Sequence, residues 1–347
     1  MDWFFRPESV TDKLLVMVVA VVIFVLVMSL ILWVIDRPNV PNWVVVLGFL
    51  GPVTLFMAIG LLYPALGTVL RSFQVTQVAV GPDGKPIINP QTGQRASELG
   101  FSLANYEKIF TDPAFQKILI NTALWVILVP VLATGFGLIY AVLVDRTRFE
   151  KVAKALVFLP MAISMVGASI IWKFVYDYRQ AGSNQIGLAN QILVWLGLEP
   201  YQFLITEPWN TFFLIAVMIW IQAGFAMTVL SAAIKSVPDD IVEAAQIDGA
   251  TGFKLFRKVT VPTIRPAVVV VLTTIAMGSL KAFDIVRTMT GGNFGTSIVA
   301  NEFYTQTFRQ GEQGVGIGAA LAVILFIIII PVIVYNVRQM RISEEMR

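Results

Sequence analysis

Seven uncharged apolar blocks recur along this chain, at residues 14–35, 43–70, 118–144, 155–172, 208–234, 266–280 and 313–337. The fourth reads on to about residue 176, and the sixth continues past Lys281 to about 286. A helix that crosses a bilayer needs ~20 predominantly apolar residues. A membrane barrel would instead alternate apolar and polar positions in ~10-residue strands. These blocks are continuously apolar, so the pattern predicts an all-α polytopic membrane protein with about seven transmembrane helices. The first block is too long for the apolar core of a signal peptide and has no A-x-A-like cleavage site, so it is expected to be a retained helix.

The polar segments between the blocks are unequal in charge. Arg146, Arg148, Lys151 and Lys154 follow the third block. Lys235, Lys254, Arg257, Lys258 and Arg265 follow the fifth, and Arg338, Arg341 and Arg347 follow the last. Alternation puts all three groups on one side, which the bias of Lys and Arg makes cytoplasmic. The C-terminus is then cytoplasmic and the N-terminus lies outside. The main outer insertion spans residues 71–117. Gly81-Pro82-Asp83-Gly84 between its Val- and Ile-bearing runs reads as a hairpin turn, and residues 102–116 read as a helical lead-in to the third span. The other outer loops are about residues 177–207 and 287–312.

Composition narrows the chemistry. The 347 residues are 57% hydrophobic and 14% charged, with a mean hydropathy of +0.77. A soluble domain is about 25% charged, so soluble enzymes, nucleic-acid binders and disordered chains are disfavoured. The absence of cysteine and histidine excludes disulfides, thiolate and imidazole metal sites, and His-dependent triads. A pI near 9.1 reflects loops that set topology; no nucleic-acid partner is expected.

One polar segment, residues 236–266, carries an organised pattern: SVPDDIVEAAQIDGATGFKLFRKVTVPTIRP. Ser236 followed by Asp239 resembles a capping box, and Pro238 suits a first turn. Asp239 and Asp240 suit the positive end of a helix dipole. Gly249 is placed to end that helix. A second short amphipathic helix should carry Phe253 and Phe256 among Lys254, Arg257 and Lys258, and Pro262 and Pro266 mark entry to the next span. The expected product is a compact knob of two short helices around a glycine bend.

These residues resemble the cytoplasmic loop of binding-protein-dependent ABC importer permeases. That loop reads E-A-A, three residues, G, nine residues, I-x-L-P. Here Glu243-Ala244-Ala245, Gly249 and Val259-Thr260-Val261-Pro262 keep every spacing, with Val in place of Ile and of Leu. Trp220, Val237-Pro238-Asp239-Asp240, Phe283-Asp284, Thr290 and Gly291-Gly292 are similar to the maltose-type sugar branch, and TMTGGNFGT looks most like alpha-glucoside permeases. Asn293 replaces the proline usual after the glycines.

The resemblance implies a six-helix importer core plus one extra N-terminal helix. It divides the chain into residues 1–42 (the extra helix), 43–337 (the transmembrane domain, with the outer insertion and a coupling loop at 236–265) and 338–347 (a cytoplasmic tail). It implies a transport subunit in the inner membrane rather than an enzyme. It would be paired with a second permease, served by two ATPase subunits and loaded by an extracytoplasmic sugar-binding protein. The coupling residues would be Glu243, Ala244, Ala245, Asp248, Gly249, Phe253 and Phe256. Aligning the motif segments puts Trp220, Gln222, Phe225, Gly278 and Ser279 at sugar-contacting positions. The chain has no G-x-x-x-x-G-K-[ST] sequence, since Gly84-Lys85 is followed by Pro86. No cofactor is therefore expected on it, and ATP and magnesium belong to partner subunits.

Other mid-span polar candidates are Asn121, Thr122, Ser164 and Ser169. Each of the five sugar-site candidates has a plainer reading as helix packing or lipid contact. Gln222 is the strongest of them, because an unpaired amide is costly in hydrocarbon. Lys281 and Asp284, spaced i,i+3, are expected to form an ion pair bracing the Gly291-Gly292 turn, with an intramembrane functional pair as the alternative. Lys173 is expected to snorkel outward. A secondary transporter would need intramembrane carboxylates or His, and the span interiors have almost none. A seven-helix receptor would want a retinal lysine in the last span or a Cys pair in the outer loops, and an intramembrane enzyme a catalytic dyad, for which only isolated Ser or Asp residues remain. No Arg or Lys lies in mid-span to meet a phosphate, which favours a neutral sugar.

Overall fold

The computed structural model describes residues 9–37, 40–78, 83, 97–145 and 147–345. Among the described residues five helices are long and apolar enough to cross a membrane, and the count reaches seven when each of two bent helix pairs is taken as one span. The chain separates into two compact units, 1–67 and 68–347.

The first unit holds α1 (Val10–Ile35) and α2 (Asn42–Met57). Ser9 caps α1 by accepting the Asp12 N–H at 3.1 Å. Neither helix has a buried residue, as expected where lipid rather than protein solvates the side chains. The helix continues from α2 through a π-helical turn, Ala58–Leu62, into α3 (Tyr63–Ser72). Pro64 has no N–H to give the α-helical ladder, and a widened turn is the usual adjustment.

The second unit begins with an antiparallel ribbon, β1 (Gln74–Val78) on β2 (Ser97–Phe101), with Gln74 opposite Phe101. Of the hairpin turn expected at 81–84, only Asp83 lies among the described residues. The ribbon is rooted by Asn105, whose amide donates to the Ser72 and Gln74 carbonyls at 2.9 Å each, and by Tyr106, whose hydroxyl bonds Ser72 Oγ at 2.7 Å. The helical lead-in forms as α4 (Ala104–Thr111). It breaks at Asp112, which caps α5 (Pro113–Val144) by accepting the Ala114 N–H.

The fourth block is not one helix. Its first part, α6 (Glu150–Phe158), tightens into a 3₁₀ turn at Leu159–Ala162 around Pro160. Ile163 is extended, and Ser164 caps α7 (Met165–Val175) by accepting the Gly167 N–H at 3.1 Å. The two parts meet at 102°. Pro160 and the capping serine supply the local cause, and hydropathy registers neither. A loop follows with a short helix, α8 (Leu188–Trp195). Asn190 tethers it by bonding the Asp177 and Tyr201 carbonyls and accepting the Tyr201 N–H.

The core gathers on α9 (Trp209–Lys235). Leu214, Val217, Met218, Met227 and Leu230 are fully buried against α5 residues such as Trp125, Val129 and Ala133. Gly224 allows the α6–α9 crossing, because a Cβ there would lie 2.5 Å from the Val157 carbonyl oxygen. After α9 come α10 (Asp239–Ile247), α11 (Gly252–Leu255), a π turn (Phe256–Thr260) and α12 (Val261–Thr263). A 69° bend then leads into α13 (Arg265–Ser279). The sixth block does not run on through Lys281. It breaks after Ser279 and resumes as α14 (Phe283–Met289). Last come α15 (Val299–Arg309) and α16 (Glu312–Glu345), whose Asn336 amide bonds Thr273 of α13.

Candidate functional site

The knob expected between the fifth and sixth spans is present as two short helices joined at a bend. Ser236 does not cap the first. Its hydroxyl bonds back to the Ala233 carbonyl at 2.8 Å, and Pro238 takes the cap position without a side-chain bond. The reason is that α9 runs to Lys235, so Ser236 belongs to its C-terminal turn. Gly249 has φ +76°, a left-handed conformation that glycine adopts without a Cβ penalty. It ends α10, and Lys254 Nζ reaches back to its carbonyl at 3.2 Å.

Glu243, Ala244, Asp248 and Gly249 are exposed, and Ala245 is half-buried. Phe253 is 74% exposed and Ile247 87%. The Phe253 and Phe256 rings stand 6.3 Å apart. A soluble surface rarely leaves large apolar side chains this open next to one another. The knob presents the carboxylates of Asp239, Asp240, Glu243 and Asp248 and an apolar edge outward, while Ala250 beneath it is buried.

The five mid-span candidates do not all meet. Gln222 and Gly278 do: a Cβ built on Gly278 would stand 3.5 Å from Gln222 Nε2 and 3.9 Å from Met218 Cε. Met218 and Phe225 are one turn on either side of Gln222 on the same helical face. The Gln222 amide has no hydrogen-bond partner among the described residues, which costs about 1–3 kcal/mol if it stays unsatisfied away from water. It is therefore a donor and acceptor held ready beside a gap that glycine leaves open. Ser279 is adjacent in sequence but 1% exposed, and its hydroxyl is committed to the Ala276 carbonyl at 2.8 Å.

Trp220 points elsewhere. It lines a separate groove with Tyr140, Leu156 and Pro160 and meets Trp172 edge-on at 5.5 Å. Two residues along a helix are about 200° apart, so Trp220 and Gln222 cannot share a face.

The other polar candidates are spent structurally. Ser164 caps α7, and Ser169 bonds the Met165 carbonyl at 2.7 Å. Asn121 donates to the Gly295 and Ser297 carbonyls at 2.7 and 3.0 Å, and Thr122 Oγ1 accepts the Val299 N–H at 2.9 Å. With Asn210, which donates to the Phe294 carbonyl at 2.7 Å, they clamp the loop after the Gly291-Gly292 turn. Phe294 in that loop has φ +54°, a strained position that these bonds hold in place.

The bracing expected from Lys281 and Asp284 is therefore supplied by amides on α5 and α9. Among the described residues no ion pair joins Lys281 to Asp284, because the helix break at 280–282 removes the i,i+3 geometry. Lys173 is exposed, consistent with snorkelling.

Sequence reading missed a polar cluster at the other end of α5. Lys154 Nζ contacts Asp145 at 2.6 Å and Glu150 at 2.8 Å, Lys235 pairs with Glu150, and Ser231 donates to Asp145 at 2.7 Å. This cluster locks α6 to the last turn of α9, directly ahead of the knob. The only signal in sequence was an acidic residue on each side of a basic stretch, which could not say that α9 packs there.

An exposed carboxylate-bearing knob, a bundle broken at two bends and a mid-span amide together describe the membrane subunit of a transporter driven from outside the chain. The chain belongs to the family of binding-protein-dependent transport system inner membrane components, which matches residues 133–341. It is 43% identical over 290 residues to the alpha-glucoside transport system permease protein AglF of Rhizobium meliloti, covering 84% of this chain and 80% of that one. It is also 43% identical over 299 residues to the osmoprotective compounds uptake permease protein GgtC of Synechocystis, covering 86% of this chain and 100% of that one. In fold it resembles a bacterial alginate ABC transporter crystallised with an alginate pentasaccharide-bound periplasmic protein. The TM-score is 0.66 at 20% identity, over 85% of this chain and 93% of that one.

The protein is thus a permease subunit of an ABC importer, multi-pass in the inner membrane. It is a transport component rather than an enzyme, and ATP hydrolysis lies on separate subunits.

Proposed function

We propose that this permease carries a neutral sugar, of alpha-glucoside or disaccharide type such as maltose, trehalose or sucrose, past Gln222, Phe225 and Gly278, with Met218 alongside and Ser279 behind. The observation that carries the reading is the unpartnered Gln222 amide beside the open backbone of Gly278. An amide can both donate to and accept from a sugar hydroxyl, and Phe225 offers an aromatic face. The relatives named for alpha-glucoside and for trehalose/maltose transport support this substrate class. A second reading, an osmoprotective compound, is favoured by the equal identity to the Synechocystis permease.

In this reading the chain forms one half of a heterodimer with a second permease, carries no cofactor and works with two ATPase subunits that bind ATP and magnesium. An extracytoplasmic binding protein docks on the outer loops. The knob sits in the cytoplasm, Glu243 facing a basic residue of an ATPase and Phe253 and Phe256 packing in its cleft. Closure of the ATPases draws the knobs together and opens the cavity outward, and hydrolysis returns it inward.

The test is uptake by the assembled transporter of a panel of labelled alpha-glucosides. Glu243→Lys should abolish uptake while the protein still inserts at wild-type level. Uptake that survives would end the coupling assignment, and a panel in which no sugar is carried would end the substrate assignment.

A further inference from the structure

We propose that the exposed face of α6, with the groove beside it, is a binding site for an anionic phospholipid: the phosphate meets Arg148 and Lys151, and one acyl chain enters the groove. The helix has two unlike faces. One carries Glu150 and Lys154 and is bound into the Asp145, Ser231 and Lys235 cluster. The other carries Phe149, Val152 and Leu156, which are 68%, 59% and 65% exposed. Those three positions follow the i, i+3, i+7 spacing of one helical stripe.

Among the described residues at this corner, Lys154 and Lys235 are spent on carboxylates. Arg148 and Lys151 are exposed and in no ion pair among the described residues; Arg148 only overhangs the Phe149 ring at 5.9 Å. They stand within seven residues of Val144, where the α5 span ends, and so lie at the membrane–water boundary. Because α6 meets α7 at 102°, it turns sharply away from the direction of the helix that follows it. An amphipathic helix with basic residues flanking an apolar stripe suits the headgroup boundary.

The groove supplies the rest of the site. It has a volume of about 430 Å³ and is lined by Phe136, Tyr140, Leu156, Val157, Pro160 and Trp220. Phe136 and Tyr140 occupy successive turns of α5, so the groove reaches roughly 12 Å inward from the end of that span at a rise of about 1.5 Å per residue. Cations at the mouth and apolar walls within match the two halves of a phospholipid, and basic pockets between spans favour anionic headgroups. The site lies on the face of α9 opposite Gln222, so it is separate from the proposed sugar path and does not depend on which solute is carried.

The experiment is photolabelling of the assembled importer in phosphatidylcholine vesicles, using phosphatidylglycerol or phosphatidylcholine probes that carry a diazirine on the acyl chain. The phosphatidylglycerol probe should label peptides containing residues 136–140 and 156–160 about tenfold more than its neutral counterpart, with two cations at the headgroup. Arg148→Glu with Lys151→Glu should bring that labelling down to the neutral level. Leu156→Trp, which keeps the cations and fills the groove, should lower labelling of residues 136–140 and serves if the charge-reversed protein does not assemble. Equal labelling by both probes, unmoved by either variant, would overturn the proposal by reducing the contact to ordinary surrounding lipid. Photocrosslinks from position 156 to the second permease would overturn it by showing protein on that face.

Discussion

Gln222 is the residue on which transport selectivity is expected to turn. Leucine at this position keeps volume and apolarity but removes both hydrogen-bonding functions. Losing one or two hydrogen bonds of about 1 kcal/mol each should raise KM for uptake roughly tenfold, while ATPase activity without substrate stays unchanged. An unchanged KM would move the sugar site away from α9. Asn121 belongs to a different category, since its amide is satisfied twice by the loop after the Gly291-Gly292 turn. Asn121→Leu should strand two carbonyls and lower the Tm of the solubilised protein, with a cost of about 1–3 kcal/mol for each buried group left unpaired. Sequence alone put Gln222 first among the sugar-site candidates and left Asn121 as a further polar residue in an apolar block, with nothing to say which amide is satisfied. Only their surroundings separate a free amide from one that clamps a loop.

At the scale of elements, the bends matter more than the helices. Gly249 turns the knob with φ +76°, and a β-branched residue there is strained by about 1–2 kcal/mol. Gly249→Val should leave α10 and the π turn helical in isolation but misdirect one against the other. The expected result is a complex that assembles and hydrolyses ATP with uptake reduced at least about tenfold; the measurement is transport per ATP hydrolysed. Gly224 works by space rather than by dihedral angle. Gly224→Leu should force α6 off α9, with overpacking of about 1–3 kcal/mol, and lower the Tm.

The helices themselves were legible because apolar length suffices to predict a span. The knob was legible because its glycine and prolines are backbone devices written in the sequence. The 102° break was signalled only by Pro160 and Ser164 inside a block whose hydropathy never falls. Ser236 was misread as a cap because sequence cannot say that the preceding helix consumes it.

At the scale of the whole molecule, the distribution of Lys and Arg fixes an expected orientation. The chain has no cysteine, so a single introduced thiol reports sidedness without background. In intact spheroplasts, Ser183→Cys in the α7–α8 loop should react with a membrane-impermeant maleimide. Gln246→Cys on the knob should react only after the membrane is opened. The reverse pattern would invert the topology and remove the knob from the ATPase side. The described residues hold five to seven spans, seven when each bent pair is taken as one, and the family match over residues 133–341 covers both bent pairs and the knob together.

The sequence by itself determined the solvent, the places of the apolar spans and the position of the knob. Each depends on local properties: apolar length, charge bias, and residues that force or permit a bend. The tertiary structure decided which side chains share a face. It set Gln222 against Gly278, turned Trp220 to another groove, gave the bracing of the Gly291-Gly292 loop to Asn121, Thr122 and Asn210, and locked α6 to α9 through Asp145. Inside a bilayer almost every face of a helix is apolar, so periodicity does not mark the packed side. The direction of a polar side chain then follows from which helix lies opposite, and that is set by packing across distant parts of the chain.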